Sequence, residues 1–244
     1  MVYTTAMNFT ILTYNVLFGK ALGLVPALQK KYTPDVVCLQ EFEITVENIR
    51  RVEQTGYFLA DYSHSFVKFF KVYGVATFYN PHTLKVQDGE VIPLTRSFYE
   101  IILLLLAVNQ KRTVLKTKFI HKTSKKSIDV YNLHLTFHGT NTARLKQLKK
   151  VMENIEATNG SRLIVAGDFN YAYKRKGLES VMREHMLQEA TRNLLYTLIW
   201  NFLWIIPVPL KPDYILYKGL KLKKTIREKE TTSDHFPIIS RFSL

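Results

Sequence analysis

Eight short apolar runs constrain the fold of this chain more than any other feature. Each run is four to eight residues long, the length of a buried β-strand and short for a helix. Three other stretches, residues 21–30, 46–54 and 142–155, repeat apolar residues every three or four positions, so they are predicted to be amphipathic helices. The predicted strands are residues 9–16, 36–39, 74–79, 101–108, 128–135, 163–166, 214–217 and 238–242.

The mixture of strands and helices indicates an α/β fold for the 244 residues. No internal repeat, low-complexity segment or Pro/Gly/Ser-rich linker divides the chain. A hydrophobic content of 47% is sufficient for a large core. We therefore expect one domain over residues 1–244, with a monomer as the expected oligomeric state.

The net charge of +14, from 34 basic and 20 acidic residues, favours a polyanionic partner. Nucleic acid, anionic lipid and phosphorylated small molecules all fit this description, and a basic surface that only aids solubility is the alternative. Two segments concentrate the charge, because residues 111–126 hold seven basic and no acidic residues and residues 211–230 hold seven against three. Both segments are expected to face a partner or solvent.

The single cysteine, Cys38, lies inside an apolar run and is interpreted as a small buried hydrophobic residue. It leaves no internal disulfide to form. The first residues lack the basic and long apolar regions of a signal peptide. A reduced, cytoplasmic compartment is the expectation.

Polar residues recur where the predicted strands end, which is where α/β proteins place functional groups. Any one of them could simply cap a helix or face solvent in a turn. Uncharged Ser or Thr would cap equally well, however, so the recurrence of carboxylates, amides and imidazoles favours a shared site. Oxygen ligands of this kind suit a hard cation such as Mg²⁺. The residues are Asn15, Glu41, His134, Asp168, Asn170, Asp234 and His235.

Six ordered segments resemble the signature of the endonuclease/exonuclease/phosphatase superfamily, the DNase I-like metal-dependent phosphoesterases. The resemblance extends from residue 13 to residue 238, and GDFN followed by a terminal SDH is its most specific part. It implies a four-layer α/β sandwich in which two mixed β-sheets pack face to face between helices. The segments are TYNVL (13–17), CLQEFE (38–43), YNLHL (131–135), AGDFN (166–170), PDYIL (212–216) and TSDHFPI (232–238).

The resemblance also implies a metal site and a catalytic group. Mg²⁺, with Mn²⁺ as a substitute, would be bound by Glu41 with support from Asn15 and Asp234.

Five further residues would carry the chemistry. Asp168 would orient or deprotonate the attacking water, while Asn170 and His134 would hold the phosphate oxygens. His235, paired with Asp213, would act in acid/base chemistry or charge stabilisation, and the choice of base between Asp168 and His235 stays open.

Three departures from the family pattern bear on the substrate. Leu17 stands where apurinic endonucleases carry an Asp, which weakens the match to that branch. Residues 71–73 lack the carboxylate that pairs with the first histidine in DNase I-like nucleases, so His134 is expected to lack that partner. Residues 200–210 are more apolar than a nuclease would require.

The apolar stretch 193–210 has no charged residue over 18 positions, but it is not expected to span a membrane. A span would separate Asp213 and His235 from Glu41 and Asp168. Trp200, Phe202 and Trp204 could instead insert into a membrane surface, or the segment could be a buried strand with a covering loop. We favour the buried strand because residues 198–205 contain almost no polar side chain.

The sequence thus predicts a Mg²⁺-dependent hydrolase of phosphate esters. A nuclease or phosphodiesterase acting on nucleic acid is favoured by the net charge and by basic clusters at residues 144–150 and 174–176. The alternative is an enzyme acting on a lipid at the surface of an anionic membrane, as a sphingomyelinase or a phosphoinositide phosphatase does. An inactive relative that only binds nucleic acid or a partner is disfavoured, because every position of the signature holds the expected residue type.

Overall fold

Two six-stranded β-sheets form the centre of the fold in the computed structural model, which describes residues 7–68, 70–105, 112–158, 160–202 and 205–244. The first sheet has the strand order β13-β14-β1-β2-β4-β3 and the second the order β5-β6-β7-β8-β12-β9. Strands β10 and β11 pair separately as a hairpin. The strands are β1 (Asn8–Asn15), β2 (Val36–Glu43), β3 (Phe58–Lys68), β4 (Lys71–Tyr79), β5 (Leu84–Pro93), β6 (Thr113–His121), β7 (Ser127–His134), β8 (Leu163–Asp168), β9 (Gln188–Glu189), β10 (Leu198–Phe202), β11 (Ile206–Leu210), β12 (Asp213–Lys218), β13 (Lys221–Arg227) and β14 (Ile238–Ser243).

Each sheet has one parallel pair at its centre, β1 with β2 and β7 with β8, and antiparallel neighbours on either side. These central strands are buried on both faces, which explains why they are continuous apolar runs in the sequence. The two mixed sheets and the flanking helices confirm the predicted α/β sandwich.

Alternation along the strands divides the core into layers. In β2, Val36 and Cys38 belong to the cluster that both sheets share, whereas Val37 and Leu39 belong to the cluster beneath the first helices. A third cluster joins the outer face of the second sheet to the later helices. The helices are α1 (Val25–Tyr32), α2 (Val46–Glu53), α3 (Phe98–Leu105), α4 (Asn141–Thr158) and α5 (Lys176–Glu184).

The prediction of a strand at residues 101–108 is wrong for the part that the structure describes. Residues 101–105 belong to α3, while residues 106–108 lie outside the described ranges. A reciprocal cap starts this helix: the backbone N–H of Ser97 donates to Glu100 Oε2 at 2.7 Å, and the backbone N–H of Glu100 donates to Ser97 Oγ at 3.2 Å. The cap decides the local structure, because an apolar run of this length fits either a strand or a buried helix.

The hairpin β10–β11 lies outside both sheets and is largely exposed. Trp200 is 47% exposed, and Ile205 and Ile206 at the turn are 79% and 49% exposed. The preference for a buried strand is therefore wrong for the described part of this segment, and the side chains of Phe202 and Trp204 lie outside it. No helix among the described residues is long and apolar enough to cross a membrane.

Candidate active site

The register of the second sheet places three of the proposed catalytic residues side by side. Asp168 ends β8, His134 pairs with it from the parallel strand β7, and Asp213 pairs with it from the antiparallel strand β12. Gly167 permits this close packing, because its φ is +140° and a Cβ there would lie 2.0 Å from the carbonyl oxygen of Leu133. The glycine of the GDFN segment is thus a packing requirement.

Two of the proposed metal ligands come from the first sheet. Asn15 ends β1, and Glu41 lies in β2 where the register shifts between Gln40 and Phe42. Glu41 has a φ of +52°, as expected for an extra residue in a β-bulge. The bulge turns the Glu41 side chain toward the same pocket that Asp168 lines.

Asp168 lies at the centre of these groups and is only 1% exposed. Its Oδ2 accepts a hydrogen bond from Asn15 Nδ2 at 3.1 Å, and its Oδ1 accepts one from the backbone N–H of Asn170 at 2.8 Å. His134 Nε2 and His235 Nε2 lie 3.5 and 3.7 Å from the same Oδ2 atom. Residues from both sheets therefore converge on one carboxylate.

His235 is held by two neighbours. Its Nδ1 lies 2.8 Å from Asp213 Oδ2, and its backbone N–H donates to Ser233 Oγ at 3.1 Å. Thr197, just before the hairpin, donates its hydroxyl to Asp213 Oδ2 at 2.7 Å. The ring and its carboxylate partner are thus both fixed in orientation.

His134 has an unexpected partner. The absence of a carboxylate at residues 71–73 led to the expectation that His134 lacks the carboxylate partner found in DNase I-like nucleases, and its Nδ1 instead lies 3.2 Å from Nη1 of Arg112. Arg112 Nε lies 3.4 Å from Glu100 Oε1, and both side chains are buried. Sequence reasoning missed Arg112 and Glu100, because Arg112 counted only as part of a basic run.

The two histidines differ in charge as well as in partner. Burial lowers the pKa of His134, and the positive charge of Arg112 lowers it further. Burial also opposes the charged form of His235, but the carboxylates of Asp213 and Asp168 outweigh it and raise its pKa to about 10. For Asp168, burial raises the pKa to about 7, although His235 acts in the opposite direction.

Two groups of described side chains could hold a cation. Asp168, Asp213 and His235 each offer a ligand atom within 4.8 Å of the others, but a cation there would compete with the hydrogen bond between Asp213 and His235. The ligands predicted from the sequence are instead Glu41, Asn15 and Asp234, and both Asn15 and Asp234 lie close enough to Glu41 to influence its pKa. Burial raises the pKa of Glu41, while a hydrogen bond from Asn15 acts in the opposite direction, and Glu41 Oε2 also accepts a backbone hydrogen bond from Phe18 at 3.2 Å. Oxygen ligands of this kind are the ones that hard divalent cations prefer in general.

An open pocket of about 670 Å³ lies above these residues. Asp168, His134, His235, Glu41 and Asn170 form its polar floor. Its upper wall, which we call the apolar rim, is built from segments that are distant in sequence. The rim residues are Leu17, Phe18, Phe66, Val67, Phe137, Tyr173, Leu198, Trp200 and Leu210.

Residues 12–235 match the family model described as the Endonuclease/Exonuclease/phosphatase family. The chain belongs to this family. The match covers the strand ends that carry the floor of the pocket as well as the hairpin beside it, and members of the family are phosphoesterases.

Two solved structures illustrate how widely the fold is shared. An endonuclease/exonuclease/phosphatase protein from Bacteroides vulgatus superposes with a TM-score of 0.77 at 17% identity, covering 98% of this chain and 99% of that one. A mannosyl-6-phosphatase from Bacteroides thetaiotaomicron VPI-5482 gives 0.72 at 17% identity, covering 97% and 100%. Identities this low show the fold alone.

A relative from Vibrio parahaemolyticus, a UPF0294 protein, is 26% identical over 120 residues, or 48% of this chain. The aligned part spans 41% of that relative's length.

Several basic residues expected to face a partner are buried in this family member. Arg112, Lys116 and Lys211 are each at most 7% exposed. Arg144 is also buried and donates to the carbonyl oxygens of Thr136 and Phe137. The basic runs therefore overstate the charge available to a partner at the surface.

Proposed function

We propose that this chain is a divalent-metal-dependent hydrolase of phosphate esters. One observation carries the proposal: two imidazoles, one side-chain amide and one backbone amide surround the buried carboxylate of Asp168 at the floor of an open pocket. A nucleophilic water, its proton acceptor and donors for the phosphate oxygens all have a place in such an arrangement.

Asp168 is the proposed base. Its raised pKa, near 7, matches the requirement that a base accept a proton from water close to neutral pH. His235 is the proposed proton donor or charge stabiliser, because Asp213 favours its protonated form. Asn170 and His134 are proposed to donate hydrogen bonds to the phosphate.

Asn15, Glu41 and Asp234 are the proposed ligands for Mg²⁺, with Mn²⁺ as a substitute. A divalent cation bound there would neutralise negative charge on the phosphate and increase the acidity of water. Asn15 also donates to Asp168 at 3.1 Å, so it joins the proposed metal site to the proposed base.

The apolar rim supports a lipid phosphate ester as the substrate, which was the alternative on sequence grounds. Trp200, Phe137 and Tyr173 are 47%, 62% and 55% exposed although they come from three separate segments of one pocket mouth. Large exposed apolar side chains around a polar pocket are typical of a surface that meets a partner. An anionic bilayer fits, because the rim would insert among the acyl chains and the net charge of +14 would favour the headgroups.

Helix α3 extends the apolar surface. Phe98 and Tyr99 are exposed on it, and Ser97 at its start donates to the carbonyl oxygen of His138, which lines the pocket. The helix is therefore next to the mouth of the pocket. It adds area that a bilayer could cover.

Nucleic acid is the second candidate, supported by the net charge and by exposed lysines such as Lys146 and Lys149. Those two lysines line a separate groove beside α4 and not the active-site pocket. In this case phosphate contacts would dominate and binding would weaken steeply with salt.

A substrate panel with Mg²⁺ tests the proposal. It would compare plasmid DNA, single-stranded RNA, abasic DNA, sphingomyelin vesicles and phosphoinositide vesicles, each with wild type and with Asp168→Asn. We expect hydrolysis of a vesicle lipid that is lost in the variant. Cleavage of nucleic acid alone would replace the lipid assignment, and no hydrolysis of any phosphate ester would contradict the proposed function.

A further inference from the structure

The hydrogen-bonding capacity of arginine determines which nitrogen of His134 carries the ring hydrogen. A guanidinium group has N–H donors and no acceptor. Because Arg112 Nη1 lies 3.2 Å from His134 Nδ1, the Nδ1 atom must be the acceptor. A neutral imidazole that accepts at Nδ1 carries its hydrogen on Nε2.

The other edge of the His134 ring agrees with this assignment. Nε2 lies 3.5 Å from Asp168 Oδ2 and 3.9 Å from Glu41 Oε1, so it faces two carboxylates. Acceptors thus lie on the side where the hydrogen is assigned, and a donor lies on the opposite side. The reverse tautomer would place Nδ1–H against the guanidinium and a lone pair against the carboxylates.

Arg112 is itself held in place. Its side chain is 4% exposed, lies 3.4 Å from the fully buried Glu100, and its guanidinium carbon is 5.3 Å from the centroid of the Phe66 ring. Glu100 in turn takes part in the reciprocal cap of α3 with Ser97. A continuous series of contacts therefore runs from the start of α3 to His134.

His235 has the opposite arrangement. Its Nδ1 meets Asp213, which when ionised only accepts hydrogen bonds, so Nδ1 carries a hydrogen. Its Nε2 can then gain or release a proton, whereas Nε2 of His134 can only donate a hydrogen bond. The two histidines beside Asp168 thus differ, because His235 can transfer a proton at Nε2 and His134 can only donate a hydrogen bond there.

We propose that Arg112, oriented by Glu100, is a positioning residue that fixes His134 as an Nε2–H donor to the phosphate of the substrate. The phosphate contact rests on the proposed function, whereas the tautomer does not. His134 therefore takes no part in proton transfer, which is left to Asp168 and His235.

Long-range ¹H–¹⁵N NMR of the ¹⁵N-labelled wild-type protein at neutral pH tests the tautomer directly. We expect His134 to show an unprotonated Nδ1 and a protonated Nε2. A protonated Nδ1 would overturn the proposal whatever the enzyme hydrolyses. Absence of phosphoesterase activity would contradict the proposed function but leave this spectrum interpretable.

Variants test the positioning role. Arg112→Met keeps much of the side-chain volume but removes the donors, so we expect a loss of the single tautomer and a fall in kcat of about 10- to 100-fold with KM little changed. Arg112→Lys, which keeps a donor, should restore much of both. Arg144→Met is the matched control, since it removes another buried arginine. Arg144 donates to the backbone carbonyl oxygens just after β7 and not to the His134 ring.

An unchanged His134 signature in Arg112→Met would refute the role of Arg112, as would an equal change in Arg144→Met. If Arg112→Met fails to fold, Glu100→Gln replaces it, because this variant removes the charge that orients the Arg112 guanidinium. In Glu100→Gln we expect a partial loss of the single His134 tautomer. An unchanged His134 signature in this variant would count against the proposal.

Discussion

The floor and the rim of the active-site pocket are built on opposite principles. The floor consists of buried or half-buried polar groups, several of which are fixed by strand register and by hydrogen bonds with defined partners. The rim consists of apolar side chains, several of them half exposed, on a hairpin, the end of β3 and loops. A rigid floor fixes the geometry of a reaction, whereas an exposed rim is suited to selecting what reaches it.

The difference predicts two classes of variant. Changes in the floor should lower the rate constant with little effect on folding or on binding to a surface. Changes in the rim should lower binding to a surface and leave hydrolysis of a small soluble ester intact. The predictions below begin with the variant expected to have the largest effect.

Asp168→Asn should have the largest effect in the floor. The amide cannot accept a proton from water, so we expect kcat to fall by at least about a thousandfold. The melting temperature should stay within a few degrees, because the amide oxygen can still accept a hydrogen bond from its neighbours. Thermal melts and turnover of a soluble phosphodiester measure both quantities. Activity within tenfold of wild type would exclude Asp168 as the base.

His235→Ala should lower the rate by at least about a hundredfold with a near-native melting temperature. Asp213→Asn is its matched variant, since it keeps the shape of the partner but no longer favours the protonated ring. We expect a smaller loss for Asp213→Asn, measured in the same assay. A fully active His235→Ala variant would remove the dyad from the chemistry.

The central strands and the polar residues at their ends were predictable from the sequence. Strands such as β1, β2, β7 and β8 are buried on both faces, and continuous apolar runs mark such strands directly. Several other strands were not predicted, among them β6, where Lys116 and Lys118 interrupt the apolar residues inside a basic run. The prediction was wrong for α3, because an end cap and not periodicity decides its structure.

The contacts of the candidate site were less accessible to sequence reasoning. The motif identified Glu41, but the β-bulge that turns its side chain depends on pairing with β4. Arg112 was counted as surface charge, because nothing local in the sequence shows that Glu100 and His134 surround it after folding. Long-range contacts of this kind are set by the tertiary fold.

A separate ion-pair network sharpens the comparison, since it also contains a buried carboxylate but does not line the pocket. Glu189 binds Lys211 Nζ at 2.7 Å and also pairs with Arg175. Glu189→Gln should lower the free energy of unfolding by about 3 kcal/mol, because it leaves the buried ammonium group of Lys211 without its charged partner. Chemical denaturation should show this loss, with kcat retained in the folded fraction.

The pH dependence of that loss follows from the pKa of Glu189. Burial raises this pKa, but Lys211 and Arg175 outweigh burial and hold it below its ordinary value of 4.5. The stabilisation is therefore complete above pH 4.5 and is lost as the pH falls through the folded-state pKa. The difference between wild type and Glu189→Gln should shrink in acid, and a difference that grows in acid would contradict the assignment.

Variants of the rim and of its hairpin β10–β11 should have the smallest effect on the reaction itself. Trp200→Ala with Ile206→Ala should reduce co-sedimentation with anionic vesicles by about tenfold, while turnover of a soluble ester stays within about twofold. Substituting exposed residues usually changes stability by less than about 0.5 kcal/mol. Val46→Ala with Met186→Ala is the matched control, because both residues are exposed and neither lines the pocket. Equal vesicle binding in the two double variants would remove the membrane assignment.

Dependence on a divalent cation tests the central claim most directly. The wild-type protein should lose its phosphoesterase activity in EDTA and recover it when Mg²⁺ or Mn²⁺ is added in excess. Glu41→Gln, which removes a carboxylate from the proposed ligand set, should need a higher concentration of Mg²⁺ for half-maximal recovery. Full turnover in the presence of the chelator would contradict a metal-dependent centre at Asn15, Glu41 and Asp234.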